Sequence, residues 1–102
     1  MKEKNRKFFF VTTVRCYKDG KFNDCRCIGF YPTLKDARCV VTENWEALAE
    51  AGWYQYAVIE KFGFGWYPYT GAPEEWYQFT KTGVKKIAKP KRWEKVGSFG
   101  IG

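Results

Sequence analysis

Two β-rich runs flank an Asp-Gly pair near the start of the chain, and no other feature narrows the fold as much. Residues 7–17, KFFFVTTVRCY, are mostly aromatic or β-branched, and residues 22–31, FNDCRCIGFY, repeat that character. Asp19-Gly20 between them suits the positive φ values of a two-residue type I′ turn. The expected product is a β-hairpin in which Lys18 faces Lys21 and the numbers of paired residues sum to 39. In that register Phe8, Phe10, Thr12, Val14 and Cys16 share a face with Cys25 and Cys27, which is expected to be the core face. On the other face Arg15 stands opposite Asp24 as a cross-strand ion pair. A longer turn would invert the two faces.

After Pro32 the periodicity changes. Thr33 and Asp36 stand in capping-box-like spacing, with Thr33 as N-cap and Asp36 near the positive end of the helix dipole. Leu34, Ala37, Val41, Trp45 and Leu48 then recur at helical spacing, which predicts one helix over residues 34–50, ended by Gly52. Residues 53–62 read as a strand buried in its middle. Residues 75–80 and 84–88 read as a second hairpin around Lys81-Thr82-Gly83, and Pro90 opens a short helical turn. Residues 97–102 are a last strand or a tail. The order β-β-α-β-β-β implies a single α+β domain over residues 1–102, one helix packed on an antiparallel sheet. The long irregular stretch is 63–74, a loop of the kind that often carries function.

Composition sets the class of partner. Of 102 residues, 45% are hydrophobic and 28% charged, which places the chain among globular proteins, while 21% are aromatic, so rings supply much of the buried surface. The net charge is +7 and it is unevenly spread. Residues 1–7 hold four cations against Glu3, and residues 81–95 hold seven against Glu94, whereas the middle is slightly acidic. Such basic ends suit an anionic partner or a solvated surface. No apolar run is long enough to span a bilayer and no secretion signal is visible, so a cytoplasmic protein with no membrane partner is expected. Cys16, Cys25, Cys27 and Cys39 are then expected as free thiols.

The chemistry that remains is narrow. Histidine is absent, which excludes Ser-His-Asp and Cys-His sites. Arg26, between Cys25 and Cys27, points to the opposite strand face from both thiols, which weakens the case for a stabilised thiolate and leaves a cysteine-dependent enzyme as a minor alternative. Cys25-x-Cys27 leaves one intervening residue where zinc knuckles use more. Glu74-Glu75 and the Glu43, Glu46, Glu50 set read as solvated. No catalytic residue, metal or cofactor is therefore expected, and the glycines of GFGWYPY at 63–69 match no phosphate-binding fingerprint. Aromatic side chains near cations can still hold a base and its phosphate. Trp66, Tyr67, Tyr69 and Trp76 form the expected stacking set. Lys85, Lys86, Lys89 and Arg92 form the expected phosphate set, with Arg15 and Arg26 as lesser members. The competing reading is that the rings cap the sheet and that Lys85 and Lys86, adjacent on a strand, diverge.

Asp24-Cys25-Arg26-Cys27-Ile28-Gly29, Tyr56-Ala57-Val58-Ile59-Glu60 and Gly100-Ile101-Gly102 together resemble a group of small accessory proteins of bacteriophages and prophages. The resemblance implies a context, the host bacterial cytoplasm, and a role in countering host defence. It carries no catalytic signature. The expected activity is non-enzymatic sequestration of a nucleotide-type immune signal. The alternatives are a protein-blocking inhibitor of a defence complex, in the manner of an anti-CRISPR protein, and a non-specific single-stranded nucleic-acid binder. So small a domain has little room for a deep private cavity, and a pocket shared between protomers of a homo-oligomer is one arrangement open to it.

Overall fold

A computed structural model describes residues 7–19, 21–63 and 74–93. The first hairpin joins β1 (Lys7–Cys16) to β2 (Phe22–Tyr31), and its register departs from expectation twice. The Tyr17 N–H donates to the Lys21 carbonyl at 2.8 Å, so three residues rather than two lie between the closing pair. Cys16 accordingly faces Phe22. The slip is undone at once, because Asn23 is skipped in the strand register and Arg15 meets Asp24, followed by Val14 with Cys25, Thr13 with Arg26 and Thr12 with Cys27. An extra turn residue and a one-residue bulge cancel, a pairing common in three-residue hairpins. The expected Arg15–Asp24 contact forms, with Nε to Oδ1 at 3.2 Å and Nη2 to Oδ2 at 3.0 Å. A second bulge at Ile28 places Gly29 opposite Val11.

β1 also pairs with β3 (Tyr56–Gly63), which pairs with β4 (Glu74–Phe79) and then β5 (Val84–Ile87). The sheet order is β2-β1-β3-β4-β5 and every neighbouring pair is antiparallel. With the helical segment between β2 and β3, this is the α+β architecture that the element order implied.

The single predicted helix is two: α1 (Leu34–Glu43) and α2 (Trp45–Ala49). Thr33 caps α1 as expected, its Oγ1 accepting from the Asp36 N–H at 3.1 Å. The break falls at Asn44, at φ −115° and ψ 24°. The preceding Val40-Val41-Thr42 run is β-branched, Thr42 Oγ1 donates back to the Arg38 carbonyl at 2.9 Å, and Asn favours non-helical backbone. The kink interrupts the helical ladder, and the bonds to either side of it are the Asn44 N–H to the Val40 carbonyl and the Leu48 N–H to the Asn44 carbonyl. At the far end Gly52 does not act alone. Glu50, Ala51 and Gly52 take φ values of 49°, 57° and 92°, three successive left-handed residues. The Gly52 and Tyr54 N–H groups both return to the Ala49 carbonyl.

The sheet is buried on both faces in its middle. Val11, Ala57, Ile59 and Tyr77 meet Ala37, Val41 and Leu48 of the helices. Val14, Val58 and Trp76 meet Trp93, which sits on a short 3-10 turn, Lys91–Trp93, opened by Pro90. The helices thus cover the face opposite the strand cysteines, while the expected face of Val14, Cys16 and Cys25 is buried against Trp93, so the sheet has a core on each side rather than on the expected one alone. The reason is that β1 is apolar or small on both sides. Val11, Thr12, Thr13 and Val14 are all fully buried, so alternation alone could not choose. Thr13 Oγ1 donates to the Arg26 carbonyl, whereas Thr12 Oγ1 is buried with no partner among the described residues.

Candidate functional site

The residues expected to hold a ligand do not converge within the described part of the structure. Trp66, Tyr67, Tyr69 and the side chain of Arg92 lie outside it. Trp76 is 2% exposed and taken up by the second core, 5.7 Å from Trp93 and 6.3 Å from Tyr56 between ring centroids. Its Nε1–H donates to Glu74 Oε1 at 2.7 Å. A central strand position, not a loop, is what buries it. Lys85 and Lys86 alternate across β5: Lys85 pairs with Gln78, while Lys86 stands opposite Tyr77 and 3.7 Å from Glu75. Lys89 donates to Glu74 Oε2 at 3.2 Å. Arg26 pairs with Glu50 at 3.2 Å, and the Arg15 guanidinium lies 4.0 Å above the Trp53 ring while holding Asp24. Each of Arg15, Arg26, Lys86 and Lys89 therefore has a carboxylate partner, and they are shared between the two faces of the sheet.

The carboxylates so engaged are structural. Arg38 of α1 forks onto Glu75 of β4, with Nε to Oε1 at 2.9 Å and Nη2 on Oε2, and Tyr77 Oη donates to Oε1 at 2.9 Å. The Arg38 hydrogen bonds, against the opposing effect of burial, hold the Glu75 carboxyl well below its ordinary range, at about 2. Burial first, then the bond to Glu75, pushes the Tyr77 phenol up to about 12. This clamp fastens α1 to the sheet. Burial, then Asp24, Glu60 and Cys27, raise the Cys25 thiol, which opposes thiolate chemistry there. Among the described residues no group of three or more His, Cys, Asp or Glu could hold a metal, and no helix is long and apolar enough to cross a membrane.

What the fold does bring together lies at the hairpin-turn end of the sheet. α2, the left-handed turn after it and the β4–β5 turn enclose an open groove of about 600 Å³. Trp45, Tyr54 and Phe79 supply rings, and Glu46, Gln55, Thr80 and Lys81 supply polar groups. Gln55 builds its floor. The Gln55 N–H donates to the Val14 carbonyl and its own carbonyl accepts from Phe79 N–H, which ties β1 to β4. Its side-chain Oε1 accepts from Cys16 N–H at 2.9 Å, and Nε2 donates to the Gly52 and Trp53 carbonyls at 2.7 and 3.1 Å. The same amide therefore holds the left-handed turn that forms one rim.

No family model, curated protein or solved structure matches this chain. Function has to be read from the groove's own chemistry. Its residues were partly visible in the sequence: Trp45 stood in the helical apolar stripe and Lys81 in the second turn. The kink at Asn44 is what leaves Trp45 half-buried at a groove wall. Gln55 carries no sequence signal, because its role consists of contacts with residues 14, 16, 52, 53 and 79.

Proposed function

We propose that this protein is a non-enzymatic binding protein that captures an anionic ligand bearing a flat ring, a nucleotide-type signal, in the groove between α2 and the β4–β5 turn. The observation that supports this reading is the lining: three aromatic side chains and one lysine around a volume of about 600 Å³, within the 300–1,000 Å³ range usual for small-ligand pockets. Rings on a groove wall offer sequence-tolerant stacking, worth about 1–3 kcal/mol per base, and the ammonium meets phosphate. The resemblance to phage accessory proteins makes sequestration of a host nucleotide signal the natural use of such a groove. A thermal-shift screen of nucleotides tests it: a ligand at 100 times its Kd adds about 2.7 kcal/mol to native stability, and the rise in melting temperature should shrink in Trp45→Ala. A full shift retained in that variant would remove the groove from consideration.

A second reading, a protein-blocking inhibitor, is favoured by one observation. Trp53 is 53% exposed, follows the left-handed turn directly and is braced on Arg15, the type of aromatic-arginine pair that anchors interfaces. In that case a pull-down from the host retains a defence protein, and Trp53→Ala releases it with the fold intact.

A further inference from the structure

The polar groups that line the groove are not equally available to a ligand. Gln55 uses both amide donors on Gly52 and Trp53 and its oxygen on Cys16. Thr80 donates its hydroxyl to the Gly83 carbonyl at 2.9 Å, closing the β4–β5 turn. The N–H groups of Gly52, Tyr54, Gln55, Phe79 and Thr80 are bonded within the backbone. Two charged side chains line the groove, Glu46 on the α2 wall and Lys81 on the turn wall, and among the described residues neither makes an ion pair. Both are exposed.

From this we infer that the ligand is a nucleoside monophosphate, linear or cyclic, rather than a polyphosphate; the inference rests on the groove reading above and names its ligand class. A carboxylate only accepts hydrogen bonds, so Glu46 fits the hydroxyls of a ribose or the exocyclic N–H of a base and repels phosphate. The single positive charge of Lys81 offsets much of the charge of one phosphoryl group and only a small part of that of a triphosphate. The added phosphates of a triphosphate would find no second cation in the lining and would crowd Glu46, at a cost in both Coulomb energy and desolvation. The rings then carry the base between these two ends.

Isothermal titration of the full chain with a nucleoside, its 5′-monophosphate and its 5′-triphosphate, in adenine, guanine and uracil series, tests this. The monophosphate of at least one series should bind several-fold tighter than both the nucleoside and the triphosphate. Lys81→Ala should lower monophosphate affinity about tenfold, the scale of one charge-assisted bond, and leave the nucleoside unchanged. Glu46→Gln should weaken nucleoside and monophosphate alike. A triphosphate bound as tightly as the monophosphate, or a monophosphate indifferent to Lys81→Ala, overturns the inference while leaving the groove a nucleotide site. No binding in any series overturns the groove reading as well.

Discussion

Glu75 and Tyr77 make the stability of this protein depend on pH at both ends of the scale. The folded Glu75 carboxyl titrates near 2 against an ordinary 4.5, so its contribution is complete above about pH 4.5 and is lost as pH falls toward 2. The folded Tyr77 phenol titrates near 12 against an ordinary 10, so its contribution is complete below pH 10 and is lost as pH rises toward 12. Melting temperature plotted against pH should fall in both windows. Glu75→Gln should flatten the acid limb, and Tyr77→Phe the alkaline one; an unchanged acid limb in Glu75→Gln would mean that Arg38 does not hold the carboxylate in solution. In the sequence Glu75 looked like a solvated turn residue. Its partner Arg38 lies 37 positions away, and no local pattern announces such a contact.

The helices and hairpins were legible to different degrees. Turn positions, the Thr33 cap and the Arg15–Asp24 pair follow from neighbours within one or two turns of chain, and they were readable. The compensating bulge at Asn23 and the kink at Asn44 were not, because each trades small local preferences against packing on the sheet. The two bulges in β2, with Asp24 and Arg26 on the strand, also blunt an edge that would otherwise offer ten residues for pairing. The left-handed run at residues 50–52 gives a clean test of backbone conformation. A Cβ built on Gly52 meets nothing within 4 Å, yet its φ is 92°. Gly52→Ala should therefore cost about 1–2 kcal/mol in chemical denaturation purely from the backbone. Gly83→Ala, where a Cβ also meets open space, carries no such positive φ and should be close to neutral. Equal effects at the two sites would show that the turn is not left-handed in solution.

The sheet is held from two sides, and the smaller side depends on one residue. Trp93, 3% exposed, is the only member of the second buried cluster among the described residues that does not come from the sheet, and its ring lies edge-on to Tyr56 at 5.3 Å and tilted against Trp76 at 5.7 Å. Trp93→Ala should cost about 3–5 kcal/mol, a large part of the 5–15 kcal/mol that stabilises a typical domain, and a melt that is barely shifted would show that this face is covered without it. The amino-acid order alone settled which segments become strands or helix and where the chain turns, since those choices are made over a few neighbouring residues by side-chain shape, capping and turn chemistry. Which face of the sheet the helices cover, why Trp76 is core rather than platform, and the groove between α2 and the β4–β5 turn were decided only by the folded molecule, whereas the divergence of Lys85 and Lys86 was already set by strand alternation. With β1 apolar or small on both sides, either face could be buried, and the outcome depends on how segments separated by dozens of residues share the available apolar surface.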